Sequence, residues 1–519
     1  MSDILLNYKK IDPTTWAYLA SILMIGVYFK FNRVWSVRNL DLALLILFAP
    51  GLLLVYNGRT QWMEASWASD SLQKSVVVTP ISNLLFQEEI ADPPPQPPMS
   101  PEKLAGDLAK RAPGLAPRLK DLPHTEALQL AKREFENGKM VAWLGYVWLF
   151  VVSGVWLVRL LLDPTMVRRP LLEPNLSLGG LAFLGACLFL FLMANVIVGT
   201  PSEDDLKGPK GVEDIINLTD NGRPKEYHGH GPGFVILSVL PSISTMPFVD
   251  PVAHPNQRVE YAAAAKVMAV LAHLAVVAGL MLIGYLHFDN LRTGIGVATL
   301  YLLLPYTSQT TGHLSHVLPA ALLLWAVALY RRPLTAGILI GLAMGVCYYP
   351  FFLLPLWLSF YWHRGLVRFS LGVAASVVVM AVSLLFVSEN VASFWEKIQA
   401  MFGLWTPAIQ GLAGIWSPGW WDPIYRLPVL TAFVLLSISM AAWPAQKNLG
   451  TLLSCSAALM LATQFWHRHE GGTFLAWYLP LLLLTVFRPN LEDRVALSVL
   501  GESWLERRRV RTPQLDRAA

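Results

Sequence analysis

The sequence predicts an all-α, polytopic membrane protein with about 13 transmembrane helices and two long extracytoplasmic loops. The first observation is composition: of 519 residues, 54% are hydrophobic and 14% are charged, whereas a soluble domain carries about 25% charged residues. The second is a series of apolar runs long enough to cross a bilayer. The third is the placement of basic residues on alternate loops between those runs.

The apolar runs are separated by short polar turns in most places. Their approximate bounds are 15–31, 40–57, 140–162, 177–199, 262–287, 294–307, 314–330, 334–349, 350–362, 369–388, 427–443, 449–464 and 473–487. Two long polar segments interrupt the series, at 58–139 and 200–261, and a Trp-rich segment at 389–426 forms a third outward loop. Trp side chains are typical of the headgroup region of a membrane.

Basic residues predict the orientation of the chain. Pairs or single cations follow every second run, namely Arg33, Arg38, Arg168, Arg169, Arg292, Arg331, Arg332, Arg364, Arg368, Lys447 and the tail residues Arg507, Arg508 and Arg509. Positively charged loops face the cytoplasm. We therefore expect a multi-pass protein of the cytoplasmic (inner) membrane, with the N-terminus outside and the C-terminus inside.

Four regions lie outside the central helical part, three at the N-terminal end and one at the C-terminal end. Residues 1–57 form a transmembrane hairpin, and residues 140–176 hold the third transmembrane helix with a cytoplasmic loop. Between them, 58–139 is an extracytoplasmic appendage with a Pro-rich spacer at 92–98, a helix that starts at Pro101 and another over 125–137 that Gly138 ends. This appendage is the part of the chain suited to a protein partner. Residues 488–519 form a basic cytoplasmic tail.

Three acids mark the start of the loop 200–261. Glu203, Asp204 and Asp205 follow directly on the apolar run 177–199, and Asp214 is a reserve candidate. A carboxylate that is partly desolvated at this position has a raised pKa and can take a proton from an acceptor hydroxyl. The alternative interpretation is a solvated acidic turn.

Histidines and one arginine mark further outward segments. The residues are His228 and His230 in a Gly-rich stretch, His316 at the start of a helix, and Arg468 between His467 and His469 in the last outward loop. Arg beside His is suited to binding a phosphate or pyrophosphate. The alternative for His228 and His230 is a flexible loop, and for His316 it is a water-facing loop. The alternative for Arg468 and its two neighbours is an interfacial anchor.

Several classes of protein are disfavoured. The sequence has no GxxxxGK[ST], HExxH or GxSxG motif, which argues against those phosphate-loop, zinc-protease and serine-hydrolase sites. No third ligand has a spacing that predicts a metal site with the histidines. The charge clusters fit membrane topology rather than nucleic acid binding. Arg159 lies near the end of a span where it can reach the interface, and no buried acids of a proton-driven transporter are evident.

One stretch resembles a known family. It runs from Gly312-His313-Leu314-Ser315-His316 through Tyr330-Arg331-Arg332 and the glycines 337, 341 and 345 to Tyr348-Tyr349-Pro350 and Pro355, and Trp477-Tyr478-Leu479-Pro480 is a further part. This pattern resembles the C-type integral membrane glycosyltransferase superfamily, in particular its branch of mannosyltransferase-like proteins that use polyprenyl-phosphate sugars. The residue before Pro350 is Tyr349 here, where the family more often has Lys.

The resemblance implies a helical module over 177–487, with outer loops at 200–261 and 389–426. It implies transfer of a sugar, a hexose such as mannose, from a polyprenyl phosphate in the membrane lipid to an acceptor in the cell envelope. Asp205 or Asp204, with Glu203 beside them, would take the catalytic position, and the donor would bind to Arg468, His467, His469, His230, His228 and His316. No cofactor is required, and a divalent metal stays open. The rival hypotheses are a non-enzymatic scaffold or assembly component, and a transporter.

Overall fold

The computed structural model describes residues 11–75, 101–120, 122–166, 173–216, 231–245, 257–388, 390–402, 411–445 and 447–489. These residues are helical and include no β-strand. Their α-helices, in chain order, are α1 Pro13–Tyr28, α2 Val37–Ile46, α3 Phe48–Ser75, α4 Pro101–Arg111, α5 Ala116–Leu119, α6 His124–Leu162, α7 Leu178–Val198, α8 Glu203–Ile216, α9 Pro232–Thr245, α10 Gln257–Leu286, α11 Leu291–Leu303, α12 Pro305–Thr310, α13 Leu314–Ala328, α14 Pro333–Val346, α15 Leu354–Tyr361, α16 Leu366–Val387, α17 Val391–Phe402, α18 Arg426–Ala442, α19 Leu449–Ala462 and α20 Leu479–Phe487.

Six helical segments of the described chain are long and apolar enough to cross a membrane. They are Val37–Gln73, His124–Thr165, Leu178–Val198, Val259–Leu286, Leu366–Leu385 and Pro423–Ala442. Shorter apolar helices coincide with several other predicted spans: Leu291–Leu303, Leu314–Ala328, Pro333–Val346, Tyr349–Tyr361 and Leu449–Phe465. The all-helical fold is confirmed for the described residues and includes six candidate membrane spans, whereas the number of about 13 spans stays a prediction.

The chain divides into two compact units. One comprises residues 50–151 and the other comprises residues 1–49 with 152–519. The first unit contains most of α3 and α6 together with α4 and α5, and its small-residue core consists of Ala65, Ala68, Leu72, Ala112, Leu115, Leu119, Ala127 and Ala131. The predicted appendage at 58–139 lies within the bounds of this unit.

Glycines let α3 and α6 approach each other closely in the first unit. A Cβ atom on Gly138 would lie 2.6 Å from the backbone nitrogen of Trp62, and one on Gly145 would lie 2.7 Å from that of Val55. The prediction that Gly138 ends a helix is therefore wrong, because α6 continues through it from His124 to Leu162. A glycine inside a helix reduces its stability, but close packing against a neighbouring helix requires the missing side chain.

In the second unit, glycines also explain the contact between α14 and α16. A Cβ atom on Gly341 would lie 2.6 Å from Cβ of Ser376, and one on Gly337 would lie closer still to the backbone oxygen of Phe369. Gly345 continues the same helix face and contacts Gly233 of α9. The spacing of four residues places the three glycines along one face of α14. These glycines, which carry part of the family resemblance, thus have a packing role.

A buried charge network of four residues holds three segments of the second unit together. Arg159 donates to both carboxylate oxygens of Asp41, at 2.9 Å each, and to Asp163 at 3.0 Å. Arg488 donates to the other oxygen of Asp163 at 2.6 Å. The sequence alone did not reveal these partners of Arg159, nor the burial of Asp41 and Asp163. Both acids are paired with arginines, so the network has no net charge.

Candidate functional site

Asp205 links the beginning of α8 to the beginning of α13. Its side chain is 2% exposed. One carboxylate oxygen accepts a hydrogen bond from the backbone N–H of Leu314 at 2.8 Å, and the other accepts one from the Ser202 hydroxyl at 2.5 Å. The N–H groups at the start of a helix have no partner within the helix, so a carboxylate there stabilises it. The turn residues Ser202 to Asp205 are thereby fixed against α13.

The ionisation of Asp205 differs from the expectation. Burial by itself raises the pKa of Asp205, but the hydrogen bonds from His313, Ser202 and Leu314 and the nearby charge of His313 outweigh burial and hold the pKa below its ordinary value. The predicted rise is therefore wrong for this carboxyl group. Asp205 is ionised at neutral pH, and a carboxylate of low pKa is a weak base.

Glu203 and Asp204 face outward from the first turn of α8. The side chain of Asp204 is 64% exposed and pairs with Lys207 at 2.5 Å, and Glu203 lies 3.6 Å from Lys210. Such exposed pairs contribute little to stability. Asp204 also lies near enough to His469, in the last outward loop, for its charge to act on that imidazole. This acid therefore connects α8 to the segment that holds Arg468.

Two histidines continue the site along α13. His313 precedes the helix, and its Nδ1 lies 3.5 Å from the buried Asp205 carboxylate. The ring of His316 is 5.7 Å from that of His313 and stacks on Phe474 at 4.5 Å. Nδ1 of His316 is 2.6 Å from the Tyr306 hydroxyl. The orientation of His316 is thus set from two sides.

His467 lies in the same cluster of rings. Its ring centroid is 4.6 Å from that of Phe474 and 4.9 Å from that of Tyr349, and its Nδ1 contacts the backbone of His469. Burial lowers the pKa of His467 to about 3. The imidazole is therefore neutral at physiological pH and offers a hydrogen bond rather than a positive charge.

Arg468 supplies a positive charge beside this cluster. Its backbone carbonyl accepts a hydrogen bond from Ala413 at 3.1 Å. Gly411 has a φ of +66°, and a Cβ atom there would lie 3.1 Å from Nη2 of Arg468. A glycine at this position permits both the left-handed backbone and the close approach of the guanidinium group. The segment that begins at Gly411 thus packs against Arg468.

A second guanidinium group, that of Arg426, lies close to Arg468. Its Nε donates to the backbone carbonyl of Trp466 at 2.7 Å, and its Cζ lies 5.9 Å from the centroid of the Trp466 ring. The charges of both arginines act on the Tyr348 side chain. Two guanidinium groups next to tyrosines and neutral imidazoles favour an anion as ligand.

The sequence did not single out Arg426, although a usable signal was present. The Trp-rich loop 389–426 contains two cations, Lys397 and Arg426, and Arg426 is the residue that ends it. Tyr349, which stands where the resembling family more often has Lys, lies beside His467. Arg426 acts electrostatically on Tyr349. A positive charge is therefore present near this position, supplied from a different helix.

The structure describes most, but not all, of the site residues that the sequence predicts. Asp204, Asp205, His316, His467, His469 and Arg468 come together at one end of the helices through the contacts given above. His228 and His230 lie outside the described residues, and the side chain of Asp214 does as well. In the described part of the chain, no three His, Cys, Asp or Glu side chains converge as a metal site.

Comparison with known proteins adds no relative. No protein-family model matches the chain, and no curated protein matches it either.

Proposed function

We propose that the protein is a membrane glycosyltransferase that moves a sugar, a hexose such as mannose, from a polyprenyl phosphate to an acceptor outside the cytoplasmic membrane. One observation carries the proposal: an acidic end, formed by Asp204 and Asp205 with His313, lies in the same cluster as a cationic end, formed by Arg468 and Arg426. Sugar transfer from a phosphate requires both a proton acceptor and stabilisation of the leaving phosphate.

The cationic end is suited to the donor. Charge-assisted hydrogen bonds from guanidinium groups are the strongest that proteins offer to a phosphate, and they strengthen as the leaving oxygen gains charge. His467 and His469 add neutral hydrogen-bond donors or acceptors. The ring of Phe474 lies between the acidic and the cationic end, in contact with His316 on one side and His467 on the other. Tyr348 and Tyr349 provide hydroxyl-bearing rings against which a sugar can pack.

The orientation of the chain is part of this proposal. With about 13 spans, the N-terminus outside and the C-terminus in the cytoplasm, both ends of the site face outward at the level of the lipid headgroups. A polyprenyl phosphate presents its sugar at that level while its chain stays in the bilayer. The donor can then reach Arg468 without leaving the membrane.

The test measures loss of label from polyprenyl-phosphate hexoses that carry a radioactive sugar, in membranes that contain the full-length protein. The wild-type protein should consume at least one of these donors. Arg468→Ala should reduce consumption by about 100-fold, since removal of one group that stabilises transition-state charge has an effect of that order. Arg332→Ala is the control because Arg332 is a cation on the predicted cytoplasmic side, and it should leave consumption unchanged.

The rival hypothesis of a scaffold predicts a different outcome. If the wild-type protein consumes none of the labelled donors, the proposal is wrong and a non-enzymatic role for the compact unit 50–151 becomes the better explanation. Equal activity of Arg468→Ala and the wild type would instead reject the cationic end while leaving the reaction in place.

A further inference from the structure

The acid at the centre of the site cannot reach a substrate by itself. Both carboxylate oxygens of Asp205 are engaged, one by the Leu314 amide and the other by the Ser202 hydroxyl and amide. Only 2% of its side chain is exposed. A general base must come within hydrogen-bond distance of the proton that it removes. Direct removal of a proton from a bulky acceptor by Asp205 therefore requires several of these bonds to break.

His313 is accessible and lies against this carboxylate. Its side chain is 46% exposed, and its Nδ1 faces the carboxylate at 3.5 Å. A carboxylate next to Nδ1 favours the tautomer in which Nδ1 carries the hydrogen, so that the lone pair is on Nε2. The backbone of His313 is held as well, because it precedes α13 and the next amide bonds to Asp205.

We propose that His313 is the general base of the reaction and that Asp205 is its positioning residue. This inference rests on the proposed function and deepens it, because it replaces the carboxylate with an imidazole as the group that touches the acceptor. The arrangement has the three features that such a pair needs: a buried and ionised carboxylate, an imidazole whose Nδ1 lies against it, and exposure of about half of that imidazole side chain, 46%.

The chemical step balances without a further reactant. Nε2 of His313 takes the proton of the acceptor hydroxyl, and the acceptor oxygen forms a bond to the anomeric carbon of the sugar. The bond from that carbon to the phosphate oxygen breaks, and its electron pair stays on the polyprenyl phosphate. Asp205 stabilises the imidazolium ion but takes no proton. Arg468 and Arg426 stabilise the charge that the phosphate gains.

The neighbouring candidates are less suited to this role. Asp204 is exposed, but its carboxylate is engaged in an ion pair with Lys207 at 2.5 Å. Nδ1 of His316 is engaged by the Tyr306 hydroxyl, and its ring face is covered by Phe474. His313 combines exposure with a carboxylate partner, which neither of the other two does in the part of the chain that the structure describes.

The experiment compares consumption of radiolabelled polyprenyl-phosphate mannose by wild type, His313→Ala and Asp205→Asn in membranes that contain the full-length protein. We expect His313→Ala to lose about 100- to 10,000-fold in kcat, as for removal of a general base, and to regain part of it when free imidazole is added. Retention of the labelled donor on the variant checks that it is folded. His363→Ala is the matched control, since His363 is exposed and lies in the loop predicted to face the cytoplasm, and it should not respond to imidazole.

Asp205→Asn separates positioning from general structural damage. An amide keeps the size of the carboxyl group and an oxygen for the Leu314 N–H, but it cannot stabilise the imidazolium ion. We expect kcat to fall while KM for the donor stays within about twofold, because the cationic end is untouched. A change in KM alone would overturn the positioning role.

The outcomes distinguish this inference from the proposed function. Full activity of His313→Ala overturns the inference and leaves the transferase in place. Loss of activity without rescue by imidazole, in a variant that retains the donor, overturns it as well. If the wild-type protein consumes none of the labelled donors, polyprenyl-phosphate mannose included, then the proposed function and the inference fail together.

Discussion

Removing the charge of Asp163 should destabilise the protein strongly. This carboxylate is 0% exposed and accepts hydrogen bonds from Arg159 at 3.0 Å and Arg488 at 2.6 Å. Charge-assisted hydrogen bonds contribute about 1.5 to 3 kcal/mol each, and loss of one partner from a buried ion pair costs about 3 to 5 kcal/mol. Arg159 keeps Asp41, so we expect Asp163→Asn to lower the free energy of unfolding by about 3 kcal/mol.

The assay is reversible unfolding in mixed micelles, followed by tryptophan fluorescence. The control is Asp204→Asn, which removes one partner of an exposed ion pair and should change the free energy of unfolding by about 1 kcal/mol or less. A double variant, Asp163→Asn with Arg488→Gln, should be more stable than the sum of the two single effects predicts, because no unpaired cation remains buried at that position. If Asp163→Asn behaves like the control, the reasoning about this network is wrong.

Further predictions concern the packing of α3 and α6, the last outward loop and the cationic end. Gly138→Leu should lower the thermal midpoint because its side chain would meet the backbone of the facing helix, whereas Gly106→Ala, with open space around it, should not. The free energy of unfolding should fall as the pH decreases from about 6.5 to 3, because the unfolded state takes up a proton that buried His467, whose pKa is about 3, does not take up. This pH dependence is measured by unfolding the protein at a series of pH values. In His467→Gln its slope should be smaller by up to ~1.4 kcal/mol per pH unit. Arg426→Ala should raise KM for the labelled donor at least tenfold, and Arg332→Ala should leave it unchanged.

The sequence was sufficient to predict helices and their membrane character because hydrophobic composition and run length are local properties. Its interpretation of glycine was less successful. The sequence predicts that Gly138 ends a helix, because glycine often follows the last turn of a helix. In the structure, packing against the neighbouring helix decides whether a glycine ends a helix or allows two helices to approach each other. The same applies to Gly337, Gly341 and Gly345, whose spacing carried part of the family resemblance and which pack α14 against α16.

For the candidate site, too, the sequence identifies some features and the tertiary structure decides others. The three acids at 203–205 could be selected from the sequence because they follow directly on the apolar run 177–199, and Arg468 because it lies between two histidines in a short loop. Their separate roles could not be selected. Asp205 is buried with a low pKa, whereas its neighbour Asp204 is exposed. One position along a helix turns a side chain by about 100°, which is enough to exchange solvent for the packed interior.

By itself, the sequence determined that the chain is helical, rich in apolar runs, and has acids and cations in the loops between those runs. The tertiary structure decided which of those residues meet. The pairing of Asp205 with His313 joins positions more than 100 residues apart, and the approach of Arg426 to Arg468 joins two different loops. Such contacts depend on how helices pack, which no local pattern of residues encodes.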